Sequence, residues 1–291
     1  MPFQPRIAIL VPAAAYAEHW QPAFARKYRA LSAAGLAVEQ RVWHDPGNLS
    51  GYDLVLPLFA WGYPRDVARW YALLGAWEAA GLPMVNPPAL LRWNSNKSYL
   101  TALADAGVRV VPTAMTDALD DADLVAARQR FGADSLVIKP PVSAGAEGTF
   151  LLNADDGVPA GVAGRPMLIQ PVMAGIHNPG EFSLFYFDGH FSHAILKRPA
   201  AGDFRVQDQF GGTDVAVDAP AEARALATAA LAACPLAPTY ARVDMVGDAD
   251  GVLHIMELEL IEPALFLHHA PDGGAAFAAA ISAAVTTATG G

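Results

Sequence analysis

Glu257 and Glu259 lie two residues apart in the strand-like run Ile255–Leu260, so both project from one face, because side chains alternate along a strand. The flanking runs Tyr240–Val246 and Val252–Leu260 read as a hairpin meeting near Asp250-Gly251. With that pair at the centre of a two-residue turn, counting outward sets Asp244 opposite Glu257 and Arg242 opposite Glu259. Three carboxylates then share one patch. Directly opposed like charges destabilise a sheet by up to roughly 1 kcal/mol per pair, so the patch calls for a cation. Mg²⁺, a hard ion that shares one or two carboxylates with phosphate oxygens, supplies one. A solvated strand face offset by Arg242 and water is the alternative, and these residues alone do not choose between the two.

A second group is basic. Lys139 ends the apolar run Leu136-Val137-Ile138, and Pro140-Pro141 stop the strand, which places the ammonium at a sheet end. The loop from Ser143 to Thr149 follows, with Gly145 and Gly148 able to bring backbone amides close to phosphate oxygens. It has neither the terminal Gly-Lys-Ser/Thr of a P-loop nor a dinucleotide Gly-x-Gly-x-x-Gly, so alone it reads equally as a plain loop. Lys97, at the start of a helix, reads alone as a surface lysine. His268-His269 lack a spaced third partner for zinc, and their expected role is exposed or capping. His177 and His193 are read as ordinary residues, and no Ser-His-Asp or Cys-His arrangement is evident.

The elements that must position these groups are legible as period and punctuation. Short apolar runs (Ile7–Val11, Val38–Val42, Leu54–Phe59, Met84–Val85) alternate with helical stretches at Glu18–Ala34 and Pro64–Ala80, the pattern of βαβ units in a parallel sheet. Gly35 and Gly81 stand where helix C-caps belong. Asn86-Pro87-Pro88 interrupts the pattern and marks a boundary. A helix from about Asn96 to Ala106 opens the next region, which ends near Leu168–Met173. Another hairpin, Glu181–Phe187 with His190–Lys197, turns at Asp188-Gly189. Ala219–Ala233 and Gly274–Thr287 read as helices, and Thr286–Gly291 as a fraying tail. Three lobes are expected, at 1–93, 94–172 and 173–291, in an α/β fold with α+β character in the later two. Trp61 and Tyr63 follow the third strand, where ligands of open α/β sheets gather, and are the candidate substrate contacts; an aromatic packing corner is the competing reading.

Composition bounds the function. The 291 residues suffice for several lobes sharing clefts, and the 53% hydrophobic content contains no run of the roughly 20 apolar residues that span a membrane. The Met1–Arg6 start lacks the features of a signal peptide, so a soluble cytoplasmic protein is expected. Cys234, the single cysteine, rules out an internal disulfide and has no basic neighbour to activate it. A net charge of −10, with no basic run among 19 Lys and Arg, disfavours nucleic acid.

Taken together, Lys97, Lys139, the glycine loop, Gln170-Pro171-Val172-Met173, Arg205 in Gly202-Asp203-Phe204-Arg205, Gly211-Gly212, Asp244 and Glu257-Leu258-Glu259 occur in the order found in ATP-grasp enzymes. The resemblance spans about Asn94 to Pro263. It is similar to the branch of glutathione synthetase and the ribosomal-protein glutamate ligases. The stretch Glu257–Phe266, Glu-Leu-Glu-Leu-Ile-Glu-Pro-Ala-Leu-Phe, also resembles the ATP-grasp ligases that close D-cycloserine. Many relatives carry asparagine at the position of Glu259, a departure that leaves one or two metal ions open.

The resemblance implies an N-terminal parallel-sheet lobe and two lobes clasping ATP. By it, Lys97 and Lys139 contact the adenine side and the phosphates, under a lid containing Ser143, Gly145 and Gly148. Gln170, Pro171, Val172 and Met173 form the interlobe segment beside adenine, with Glu181 a further nucleotide contact. Lys197 and Arg205 face the transferring phosphoryl group, while Asp244, Glu257 and Glu259 hold Mg²⁺, for which Mn²⁺ substitutes. The implied reaction activates the carboxylate of a small amino-acid-like substrate as an acyl phosphate for attack by nitrogen, with intramolecular closure as its narrowest version. A nucleotide-binding regulatory module without turnover and a kinase using the same site are the alternatives. Assembly as a homodimer is left open.

Overall fold

A computed structural model of the chain describes residues 4–14, 16, 17 and 19–290. Strand β1 (Arg6–Val11) leads through helix α1 (Gln21–Ala33) to β2 (Ala37–Val42), and β3 (Leu54–Leu56) precedes α2 (Val67–Ala79). The three strands form a parallel sheet in the order β2-β1-β3, extended by a bridge from Val55 to Met84. Alternation along the buried β1 feeds two cores: Ile7, Ile9 and Val11 join Phe24 and Leu31 of α1, whereas Ala8 and Leu10 meet Trp70, Leu74 and Trp77 of α2. The expected start of α1, Glu18, lies outside the described residues, as do Met1–Phe3 and Gly291.

Asn86-Pro87-Pro88, where a boundary is expected, leads into helix α3 (Pro88–Ser95). Pro88 occupies the first helical turn, where its missing N–H costs nothing and its fixed φ is already helical. Helix α4 (Tyr99–Asp105) follows, and both helices pack on the last sheet of the chain through Leu90, Tyr99, Leu100 and Leu103. Next come β4 (Ala114–Thr116), α5 (Asp121–Phe131), β5 (Leu136–Lys139), β6 (Phe150–Leu152) and β7 (Met167–Pro171). These four strands make an antiparallel sheet ordered β4-β7-β5-β6, over a core of Leu124, Leu136, Ile138, Leu152 and Ile169.

The third sheet is antiparallel, β10-β9-β8-β11-β12, from β8 (Glu181–Phe187), β9 (His190–Arg198), β10 (Thr213–Ala216), β11 (Tyr240–Gly247) and β12 (Leu253–Glu259). Helix α6 (Ala221–Ala232) packs on one face. The other face divides along its length. Phe185, Phe187, Ile195 and Tyr240 pack with α1 and with α7 (Ala275–Thr289), while Glu181, Ser183, Lys197, Arg242 and Asp244 carry that face onward as a polar wall. The tail expected to fray stays helical to Thr289, because Val285 is buried and the hydroxyls of Thr286, Thr287 and Thr289 donate to carbonyls one turn back.

The turn at Asp188-Gly189 forms as read, both residues at positive φ. Asp250-Gly251 does not make a two-residue turn. Gly247 pairs with Leu253 across a five-residue loop in which the Asp248 carboxylate accepts from the amides of Asp250 and Val252, each at 2.9 Å. The expected register at the acidic patch nevertheless holds, with Arg242 opposite Glu259 and Asp244 opposite Glu257, because a bulge at Met256 absorbs the one-residue difference.

β12 is an edge strand, and side chains satisfy its outward backbone groups. Asn94 donates to Leu258 O (2.9 Å) and accepts from Leu260 N–H (3.0 Å). Tyr99 Oη accepts from Leu258 N–H at 2.9 Å, and Asn86 donates to Leu260 O (2.8 Å) and Tyr240 O (3.0 Å).

Candidate active site

A cleft of about 990 Å³ runs between the four- and five-stranded sheets and reaches the N-terminal lobe at Trp61 and Gly62. Its wall includes Lys97, Lys139, Ser143, Gly145, Gln170, Pro171, Val172, Met173, Glu181, Lys197, Arg205, Asp244, Glu257, Glu259 and Trp61. Two expected site residues stay off it. Gly148 turns the loop behind the wall at φ 72°, where a Cβ would lie 2.9 Å from Pro140 Cγ. Tyr63 is buried against Trp70, ring centroids 4.9 Å apart, so the packing-corner reading holds for it, because the chain turns inward after Gly62.

The three acidic side chains each place a carboxylate oxygen within 4.8 Å of the others. Cations surround them. Lys97 Nζ pairs with Glu257 at 3.0 Å and donates to Ser143 O at 2.5 Å, tying the glycine loop to the patch. Arg242 grips Asp244 through Nε (2.9 Å) and Nη2 (2.8 Å) and reaches Glu259 with Nη2. Lys197 pairs with Glu181 at 2.9 Å and lies 3.8 Å from Asp244, which also accepts from Ser183 Oγ at 2.5 Å. Lys97 is buried, so it is not the surface lysine that isolated reading allows, and Lys197 is buried as well.

Burial raises the Asp244 and Glu257 carboxyls, but Arg242 and Lys197 for the first, and Lys97 and Lys139 for the second, outweigh it and hold both below the usual range. At Glu259 burial wins: despite Arg242, with Glu257 and Asp244 adding repulsion, its carboxyl is pushed up to about 7. Glu262 is raised to about 8 by burial and by Glu259. Lys139, buried beside Lys97 with Glu257 opposing, is lowered to about 8. At the acidic centre the donors are all oxygen, three carboxylates with an oxygen of each within 4.8 Å of the others. That set fits a hard divalent ion such as Mg²⁺.

Deeper along the cleft the wall turns apolar. Val111, Ile176, Val206, Val246, Met173 and Met256 cluster there beside Gln170, whose Nε2 donates to Thr113 Oγ1 at 2.9 Å. A flat aromatic base suits such a slot. Val111, Val246 and Met256 carry no motif, and Met256 enters the wall at the bulge, so sequence reading passes over them. Arg242 and Glu262 also line the cleft. The alternating pattern signals Arg242, which shares the face of Asp244, whereas nothing local signals Glu262. Arg205 lines the cleft but is held by Asp203 (2.8 Å) and stacks on Phe210, its guanidinium 3.6 Å from the ring centroid. Cys234 lies outside, its thiol raised to about 11 by burial, which keeps it unreactive.

Two antiparallel sheets closing on a cation-lined cleft beside a parallel-sheet lobe define an ATP-grasp ligase. The fold matches a D-alanine–D-alanine ligase from Bacillus anthracis complexed with ATP, at TM-score 0.69 and 17% identity, covering 98% of this chain and 99% of that one. A crystal structure of D-cycloserine synthetase DcsG matches at TM-score 0.82 and 27% identity over 96% of this chain and 99% of that one. The cycloserine biosynthesis protein DcsG of Streptomyces lavendulae is 34% identical over 273 residues, which is 87% of this chain and 90% of that protein. Residues 7–86 match the family described as D-cycloserine synthetase DcsG, N-terminal domain. The chain belongs to the DcsG family of ATP-dependent ligases. No helix among the described residues is long and apolar enough to cross a membrane.

Proposed function

We propose that this ligase closes a small amino acid bearing an aminooxy group onto its own carboxylate, giving a five-membered ring of the D-cycloserine type. The observation that carries the reading is the extent of the likeness. It includes residues 7–86, which lie outside the ATP-grasping sheets, in the lobe that brings Trp61 to the cleft. Opening the N–C(=O) bond of D-cycloserine gives O-amino-D-serine, in which nucleophile and acid belong to one molecule. Holding both in one conformer replaces a bimolecular encounter by an effectively unimolecular step.

In this reading ATP lies between the second and third of the lobes 1–93, 94–172 and 173–291, its base in the slot beside Gln170–Met173 and its phosphates under the loop containing Ser143, Gly145 and Gly148. Lys97 and Lys139 neutralise phosphate charge, and Glu181 positions Lys197. Asp244, Glu257 and Glu259 would hold Mg²⁺, which when bound would neutralise phosphate charge. The substrate carboxylate attacks the γ-phosphorus and ADP leaves. The aminooxy nitrogen then attacks the acyl carbon, phosphate departs with its oxygen, and the nitrogen releases a proton. Arg242, Lys197 and Arg205 face the anionic charge that develops in both steps.

The test is incubation with ATP, Mg²⁺ and O-amino-D-serine, followed by chromatography of nucleotides and product. ADP, phosphate and D-cycloserine in equal amounts are expected. AMP with pyrophosphate, or ADP formation without ring product, would overturn the reading.

A further inference from the structure

At the outer rim of the cleft a second set of ligand-type side chains converges. Asp214 on β10 stands opposite Lys197, and Lys197 opposite Glu181, so Asp214 extends the cleft-facing row to the edge of the sheet. The segment after β12 returns to that edge through a turn closed by His269 N–H to Phe266 O at 2.9 Å, with Phe266 at φ 43°. A positive φ at an aromatic residue is costly and marks a place where the surroundings dictate the backbone. Its result is that two consecutive histidines meet one carboxylate. His269 Nε2 hydrogen-bonds Asp214 Oδ2, and His268 Nε2 lies 3.8 Å from that same oxygen, the imidazole centroids 4.2 Å apart.

Two ring nitrogens directed at one carboxylate oxygen, with a ligand atom of each residue within 4.8 Å of the others, is the convergence a single cation would use. The donor set differs in kind from the one at Asp244: two imidazole nitrogens and one carboxylate oxygen suit zinc and its neighbours rather than magnesium. Zinc bonds of about 2.0–2.2 Å place neighbouring ligand atoms roughly 3.3–3.6 Å apart in a tetrahedron, close to the 3.8 Å between His268 and Asp214, while His269 and Asp214 would part from their hydrogen bond to admit the ion. His268 is 41% exposed and offers an entry path, while Asp214 lines the cleft.

We propose that Asp214, His268 and His269 form a second metal site, for a zinc-class transition ion, at the rim of the cleft. Three protein ligands leave a fourth position, which water or an amine or carbonyl of a small ligand fills. The pairing of the two histidines was invisible to spacing rules, because the third ligand lies 54 positions earlier in the chain, on β10.

The experiment counts zinc retained by chelator-treated protein after loading in millimolar Mg²⁺ and gel filtration. It compares the unmodified chain, the His268→Ala/His269→Ala double variant, and Asp244→Asn as a control for zinc entering the oxygen site. The unmodified protein and Asp244→Asn are expected to keep one zinc more than the double variant. X-ray absorption at the zinc edge of the Asp244→Asn protein is expected to carry the multiple-scattering signature of two imidazoles. Equal zinc in all three proteins, or an absorption spectrum with oxygen ligands alone, overturns the site. Because the absorption measurement uses a protein with both histidines in place, it decides the matter even where the double variant folds poorly.

Discussion

Asp244 and Glu257 stand directly opposite each other on neighbouring antiparallel strands, and each is held ionised by a different cation, Arg242 for the first and Lys97 for the second. Two like charges in that position repel, and the third carboxylate, Glu259, is raised to about 7 by burial, to which Glu257 and Asp244 add and which Arg242 opposes.

Glu257→Gln keeps the shape and the Lys97 contact but removes a charge at the centre of the oxygen set. Turnover measured by ADP release should fall at least about 100-fold, as expected for loss of a ligand or of charge stabilisation in phosphoryl transfer. Thermal unfolding should stay close to that of the unmodified protein. Undiminished Mg²⁺-dependent turnover would remove Glu257 from the metal set.

Asn94→Leu leaves Leu260 N–H without its side-chain acceptor and takes one of two donors from Leu258 O, which keeps Tyr99 Oη at 3.2 Å. An unsatisfied buried group costs about 1–3 kcal/mol, so a clear drop in urea midpoint is expected. Tyr99→Phe, which removes one hydroxyl shared by Leu258, should cost about 1 kcal/mol. A midpoint unchanged in Asn94→Leu would mean that β12 needs no such edge support.

Gly148→Ala places a methyl 2.9 Å from Pro140 Cγ at a positive φ. The strain of about 1–2 kcal/mol falls on the loop that Lys97 ties to Glu257 through Ser143. KM for ATP is expected to rise several-fold, with a fall in the urea midpoint no larger than that strain implies. An unchanged KM would show that the loop adjusts without cost.

His193 is buried, stacked on Phe185 with centroids 4.2 Å apart, and its Nε2 faces Leu265 O at 3.1 Å. Burial lowers its folded pKa to about 4, below the ordinary value of 6.5. The unfolded chain therefore binds more protons between those values, so stability is fully present above pH 6.5 and is lost as pH falls toward 4. The loss attributable to this group is at most about 3 kcal/mol. His193→Gln should flatten that part of the pH profile in thermal melts; an identical slope in both proteins would assign the acid loss elsewhere.

The parts of this molecule that depend on near neighbours were legible. Alternation put Glu257 and Glu259 on one face, Gly35 and Gly81 closed their helices, and Asp188-Gly189 turned its hairpin. Asp250-Gly251 misled in detail, because Asp248 could recruit both following amides into a larger loop, and the bulge at Met256 then restored the count. What depends on distant segments was not legible. Tyr63 went to the core because Trp70 lies behind it, the slot of Val111 and Val246 forms only when two sheets face each other, and His268 and His269 reach Asp214 only through the turn at Phe266 that returns the chain to β10.

The last helix has a consequence for how the chain comes into being. Phe277, Ile281 and Val285 of α7 complete the same core as Phe24 and Leu31 of α1, so the first lobe synthesised has an uncovered apolar side until the final helix emerges from the ribosome. Folding in order of synthesis, the habit of chains with several lobes, is here interrupted at its first step. The nascent lobe must wait for its own far end, and a ribosome that stalls before α7 would release a product prone to association rather than a shorter folded protein.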